Sequence, residues 1–232
     1  MMAHDSEQLN RLYLPDAHHL NTMIWGMAGS GKSVFIDHTL RQFLKQNKDK
    51  HLRVVIVAPK SEDYEWGEIT HTLEQLGMSI RFNRVSVLYP TMENIEGIVD
   101  DAIHMVFDYQ AKNKKSSFIF ILDDSQVFLS SRKDGSDAHK RLALTGRSRK
   151  IKGIYVAHNI TFNRSLEGQI DLLVGFSSVN PIYYRASIER FGYDPEPFAA
   201  QQSAEFVNSS FSPAPGLNVE VVPAMLIRCR RS

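Results

Sequence analysis

Gly26-Met27-Ala28-Gly29-Ser30-Gly31-Lys32-Ser33 is the stretch on which the fold turns. It sets two glycines, a lysine and a serine at the G-x-x-x-x-G-K-[ST] spacing of a phosphate-binding loop. The apolar run Thr22-Met23-Ile24-Trp25 leads into it. A helical pattern leaves it, with Ile36, Leu40, Phe43 and Leu44 on one face. A strand, a glycine-rich turn and a helix start, in that order, offer successive backbone N–H groups to an anion, and the helix dipole adds partial positive charge. Gly29 and Gly31 let the backbone approach phosphates with no Cβ in the way. The expected ligand is ATP with Mg2+, contacted by Gly26, Met27, Ala28, Gly29, Ser30, Gly31, Lys32, Ser33 and Val34. Lys32 is expected to reach the β- and γ-phosphates and Ser33 to ligate the metal.

Outward from the loop, the chain alternates strands with helical stretches. Leu52 to Ala58 is β-branched and almost continuously apolar, as a buried parallel strand is, and Pro59 ends it. Residues 79–89 read as one or two short strands. Ile95, Ile98, Val99, Ala102, Ile103, Val106 and Phe107 form an apolar stripe at helical spacing. Phe118 to Leu122, Ile154 to Ala157 and Leu172 to Phe176 are further strands, and Pro181 to Phe191 reads as a helix closed by Gly192. The proline-broken last third admits an antiparallel strand at Met225 to Cys229. The pattern predicts an α/β fold with a mainly parallel sheet. No linker divides it, so residues 1–232 are expected to form one domain: a lead-in (1–20), a core (22–176) and an extension packed on that core (177–232).

Two further motifs carry chemistry. The strand Phe118-Ile119-Phe120-Ile121-Leu122 delivers Asp123-Asp124 at its C-terminal end, as a Walker B strand does. Asp123 suits Mg2+, and Asp124 would project toward the γ-phosphate, where it could polarise water. On its own an Asp-Asp pair is more often a turn or a helix cap, but about ninety residues after such a loop the metal-site reading is preferred. The strand ending in His158-Asn159 is expected beside the loop strand, placing Asn159 or His158 near the γ-phosphate as a sensor; the bland alternative is that both cap a turn. Arg141 to Gly153 holds five basic residues. These suit an arginine finger, contacts to a phosphate backbone, or simply a solvated loop.

Composition narrows the field. The formal net charge is +1, so any nucleic-acid contact must use a local basic patch. The single Cys229 permits no intramolecular disulfide. No Cys/His cluster has metal-ligand spacing. The first twelve residues lack a signal-peptide apolar stretch, and the apolar runs are too short to cross a bilayer. A cytosolic protein without direct membrane insertion is expected.

Gly-Met-Ala-Gly-Ser-Gly-Lys-Ser, then Ile-Leu-Asp-Asp-Ser-Gln, then Gly-Arg-Ser-Arg-Lys-Ile-Lys-Gly-Ile-Tyr-Val-Ala-His-Asn, in that order, resembles the FtsK/HerA superfamily. In size the chain is similar to genome-packaging ATPases of poxviruses and of double-stranded DNA viruses with internal membranes. The resemblance implies a RecA-like P-loop core, a homo-oligomeric ring (pentamer or hexamer), and ATP-driven translocation of double-stranded DNA. It further implies capsid or portal-vertex partners, in the host cytoplasm or at the packaging vertex of the virion. It makes Arg147 the first finger candidate, with Arg141 and Arg149 behind it, and puts Lys32, Asp123, Asp124 and Asn159 in the catalytic set. Two departures stand out: Asp124 where Glu is usual, and no stretch expected to form an extra DNA-binding domain. A cellular DNA translocase of the same superfamily, a small-molecule kinase with Arg132-Lys133 in its lid, and a regulatory switch are the rival readings.

Overall fold

The computed structural model describes residues 6–15, 21–26, 28–60, 64–91, 95–125, 136–158, 169–176 and 225–228. Eight strands form one sheet: β1 (Asn21–Trp25), β2 (Leu52–Val57), β3 (Glu68–Thr70), β4 (Val85–Leu88), β5 (Ser117–Leu122), β6 (Ile151–Ala157), β7 (Ile170–Gly175) and β8 (Met225–Arg228). Their order is β3-β4-β2-β5-β6-β1-β7-β8. All neighbouring pairs are parallel except β7 with β8. The helices are α1 (Ser6–Tyr13), α2 (Lys32–Gln46), α3 (Leu73–Phe82), α4 (Ile95–Lys112) and α5 (Asp137–Thr145).

The near-continuous apolar strands follow from burial on both faces. Ile24, Val54, Ile56, Ile119, Ile121, Ile154 and Val156 point to one side, into a core shared with Leu9, Leu12 and Tyr13 of α1 and Phe35, Ile36, Leu40 and Phe43 of α2. Met23, Trp25, Val55, Phe118, Phe120, Leu122 and Tyr155 point to the other, against Leu76 and Ile80 of α3, Val99 to Phe107 of α4 and Leu142 of α5. The mainly parallel α/β sheet is as expected, and so is the antiparallel strand near residue 225.

Three details were not legible in the pattern. Of residues 79–89, Val85–Leu88 form the one strand, and 79–82 are the last turn of α3. The short β3 was not foreseen. β6 begins at Ile151, three residues earlier than its apolar run suggests, because Lys152 and Gly153 are buried in the sheet despite their character. The stretch Pro181 to Gly192 lies outside the described residues, as does Cys229.

One buried polar side chain ties the central strands to a helix. The Asn21 amide donates to the carbonyls of Ala143 and Gln169 (both 3.2 Å), and its oxygen accepts from the Gly153 amide at 3.1 Å. A Cβ on Gly153 would sit 2.7 Å from that oxygen, so the bond requires glycine there. Asn21→Ala strands two buried backbone groups, each costing about 1–3 kcal/mol, and one partly buried carbonyl, and should lower unfolding free energy by about 2–4 kcal/mol. Urea denaturation measures this; a loss below about 0.5 kcal/mol would show the network to be dispensable.

Candidate nucleotide site

At the C-terminal edge of the sheet β1, β6 and β5 end side by side, with β6 between the other two. Adjacent strands lie about 4.8 Å apart, so β1 and β5 are separated by about 10 Å. The loop after β1 closes that gap by sending α2 back over the edge. Gly29 (φ 74) and Gly31 (φ 88) take left-handed conformations that other residues rarely adopt. A Cβ on Gly26 would meet Cβ of Phe176 at 2.5 Å, so this glycine is required by packing.

Ser33, in the first turn of α2, places Oγ 2.9 Å from Oδ2 of Asp123 at the end of β5. The Lys32 ammonium donates to the Gly26 carbonyl at 2.8 Å and lies 2.9 Å from Nδ1 of His158 at the end of β6. The other ring nitrogen, Nε2, sits 2.6 Å from Oδ1 of Asp124. A neutral imidazole protonated on Nε2 satisfies both contacts, accepting from Lys32 and donating to Asp124. Asp124 holds φ 51, a left-handed conformation that Asp tolerates better than most residues, and this turns its carboxylate toward the imidazole. His158, one of two sensor candidates in the sequence, is thus at the centre of the site. Asn159 and Met27 lie outside the described residues. Ala28 and Gly29 are exposed on the loop, and Val34 is exposed in the first turn of α2.

Sequence reasoning missed Tyr64. Its hydroxyl donates to Oδ2 of Asp123 at 2.8 Å, so that oxygen takes two hydroxyl bonds while Oδ1 accepts from the Asp124 amide. Nothing in the polar stretch around Tyr64 marks it, because the contact spans 59 residues of chain.

The charges here are held against their own solvation. Burial pushes the Lys32 ammonium down to about 8, although Asp124 and Asp123 pull it back up. Burial raises the Asp123 carboxyl above its usual range, against the hydrogen bonds from Tyr64 and Ser33. The Ser30 hydroxyl is buried in the loop without a hydrogen-bond partner among the described residues. The N-terminus of α2 has no side-chain cap and no acid in its first turn, leaving first-turn amides and the positive dipole end available. An incoming triphosphate answers these features with negative charge and acceptors. The donor set beside it, one hydroxyl and one carboxylate oxygen, suits a hard cation that completes its shell with phosphate and water, as Mg2+ does. Among the described residues no group of three or more His, Cys, Asp or Glu could hold a metal by itself. The residues therefore fit Mg2+ shared with a nucleotide, held by Ser33 and Asp123.

The arginine candidates lie elsewhere. Gly146 ends α5, and a Cβ there would collide with the carbonyls of Leu142 and Ile151. Arg147 and Arg149 follow on an exposed single turn of 3-10 helix before β6. The seven residues of β6 separate them from His158 by about 20 Å at 3.3 Å per residue. Arg141 is engaged at home, its guanidinium 4.3 Å from the Phe107 ring centroid and 3.3 Å from Nδ1 of His104. That leaves Arg147 and Arg149 as the free finger candidates among the three.

This edge, with a glycine-rich loop, a carboxylate strand and a polar strand between them, is that of a P-loop α/β fold. Solved structures agree on the fold. The genome-packaging NTPase B204 from Sulfolobus turreted icosahedral virus 2, in complex with ATP-gammaS, is similar with TM-score 0.61 and 16% identity, over 85% of this chain and 88% of that one. The DNA-packaging ATPase B204 from Sulfolobus Turreted Icosahedral Virus gives TM-score 0.63 and 18% identity, over 82% and 89%. ATPases 2 and 3 of EssC from Geobacillus thermodenitrificans give 0.52 and 16%, over 77% of this chain and 36% of that one. No protein-family model and no curated protein matches the sequence.

A pH dependence follows from Lys32. In the nucleotide-free protein its proton is lost through about pH 8, and bound phosphates restore it, so binding takes up a proton above that pH. Affinity for ATP without Mg2+ should fall as pH rises beyond 8, approaching tenfold per unit. Lys32→Arg, which stays charged, should flatten the profile. Calorimetric titration in buffers of differing ionisation enthalpy reads the proton uptake directly; a flat wild-type profile would contradict the assignment.

Proposed function

We propose that this chain hydrolyses ATP to move double-stranded DNA, and that its task is to package a viral genome into a preformed capsid. The observation that carries this reading is the convergence of Lys32, Ser33, Asp123, Asp124 and His158 on one pocket. The fold it shares with two virus packaging ATPases adds support. Lys32 and the loop amides would bind the β- and γ-phosphates. Ser33 and Asp123 would hold Mg2+, which supplies charge neutralisation at the phosphoryl oxygens when bound. Asp124, fixed by the His158 imidazole, is the group placed to orient a water and take its proton. The contact between His158 and Lys32 gives the site a way to register the γ-phosphate, because a phosphate that draws the ammonium away leaves the imidazole with Asp124 alone.

Arg147 and Arg149 are too far from their own pocket to act there. In a head-to-tail ring of five or six copies, the turn before β6 of one protomer would meet the nucleotide of the next, and Arg147 would neutralise charge developing on the transferred phosphoryl group. Capsid or portal-vertex proteins are the expected partners, in the host cytoplasm or at the virion's packaging vertex. No described helix is long and apolar enough to cross a membrane.

Two measurements test this. ATP turnover with and without long duplex DNA should rise several-fold with DNA, and the rise should fade as salt increases; turnover indifferent to DNA at every salt concentration would contradict the motor. Arg147→Ala should suppress turnover in assembled protein by at least about tenfold. Mixing it with Asp123→Ala should restore part of the activity by pairing intact half-sites, whereas mixtures as inactive as either parent would argue against a finger acting across the interface.

A further inference from the structure

The near-zero net charge hides a strong separation of charge along the sheet. Four adjacent strands, β4, β2, β5 and β6, start at the edge opposite the nucleotide pocket. Each is entered through a basic turn. Lys48, Lys50 and Arg53 lead into or open β2, and Arg81 and Arg84 precede β4. Lys112, Lys114 and Lys115 precede β5, and Arg147, Arg149 and Lys150 precede β6. These eighteen residues (48–53, 81–84, 112–115 and 147–150) hold eleven of the chain's 27 Lys and Arg and one of its 26 Asp and Glu, Asp49. All but Arg53 and Arg84 among the cations are exposed. Arg84 is committed to the carbonyls of Leu44 and Asn47. Glu68, at the start of the outer strand β3, bounds the strip on one side.

Helix dipoles do not account for it. α2, α3, α4 and α5 all end at this edge, each with about half a negative charge. Their sum, about two charges, leaves most of the cations unmatched. Beyond Arg147, at the β6 end of the strip, a contact between protein copies is a poor fit as well, because interface cores are depleted in Lys and Phe82 is the one large apolar side chain strongly exposed in these segments. Nucleic-acid interfaces are polar and strongly positive. The strands span about 14 Å between β4 and β6, close to the roughly 12 Å width of a duplex major groove. Lysine and arginine side chains from both flanks can then meet the two bordering backbones.

We propose that this strand-entry edge, Arg147 apart, is a docking surface for the phosphate backbone of double-stranded DNA. It rests on the DNA-motor reading and gives it a location at the far end of the sheet from the pocket. Contacts to phosphate alone make the docking independent of sequence, as a protein that advances along any duplex requires.

The test uses Lys48→Ala, Lys50→Ala, Lys114→Ala and Lys115→Ala combined in the full chain, all exposed turn positions away from the pocket and from Arg147. Binding to a 30-base-pair duplex is followed from 50 to 200 mM salt beside the wild type, with circular dichroism and DNA-free ATP turnover reporting the fold. The expected result is a plot of log affinity against log salt shallower by about 3–4, since each lost phosphate contact removes about 0.9, with DNA-free turnover kept. Unchanged slope and affinity in the variant, while the wild type binds, would overturn the surface and leave the motor standing. A wild type that binds no duplex would overturn both. A variant that binds DNA normally but loses self-association would assign the strip to a second copy of the chain and overturn the proposal.

Discussion

The placement of β6 between β1 and β5 is the constraint on which the site depends. Because the lysine-bearing loop and the carboxylate strand are two strands apart, a side chain at the end of the middle strand necessarily lies between them. His158 occupies that point and touches both Lys32 and Asp124. The same spacing obliges α2 to turn back across the edge, which carries Ser33 to Asp123. Gly26, wedged against Phe176 at the end of β7, fixes where the loop begins. Geometry at the pocket is therefore a property of strand order, held by two apolar layers and by Asn21 at the foot of β1.

Electrostatics give that geometry its direction. A buried ammonium, a buried carboxylate and an uncapped helix start sit together in an arrangement that folding alone does not favour. Each is relieved by a ligand of opposite sign or complementary hydrogen bonding, and a magnesium–triphosphate complex answers them together. Stability and binding then draw on the same groups: what the nucleotide-free protein loses by burying Lys32, it regains when phosphate arrives.

Much of this was legible in the sequence. The glycine spacing before Lys32-Ser33 specifies a backbone shape, and an apolar strand running into Asp123-Asp124 specifies a position, so both survive without knowledge of tertiary contacts. The α3 helix was missed because it is short, carries Gly77 in its middle and sits beside a true strand. The Thr72-x-x-Gln75 start signal was nonetheless present, and the Thr72 hydroxyl does accept from the Gln75 amide. The early start of β6 was hidden because Lys152 and Gly153 do not look like strand residues. Tyr64 had no local signal at all, since its role exists only when β2 and β5 lie side by side. Arg141 stood behind Arg147 as a finger candidate in the sequence, and its contact with Phe107 sets it apart in the structure.

The two ends of the sheet have opposite characters. Loops leaving the strands hold carboxylates and the phosphate loop; turns entering them hold a basic strip. What links those ends is a claim about the pocket first, and that claim is most directly tested by steady-state Mg-ATP hydrolysis of the purified chain beside Lys32→Ala, with circular dichroism verifying the fold. The account predicts measurable turnover in the wild type and loss of at least about a hundredfold in the variant, with the fold retained. Equal turnover in the two proteins would place ATP hydrolysis somewhere other than this loop and remove the basis of the account.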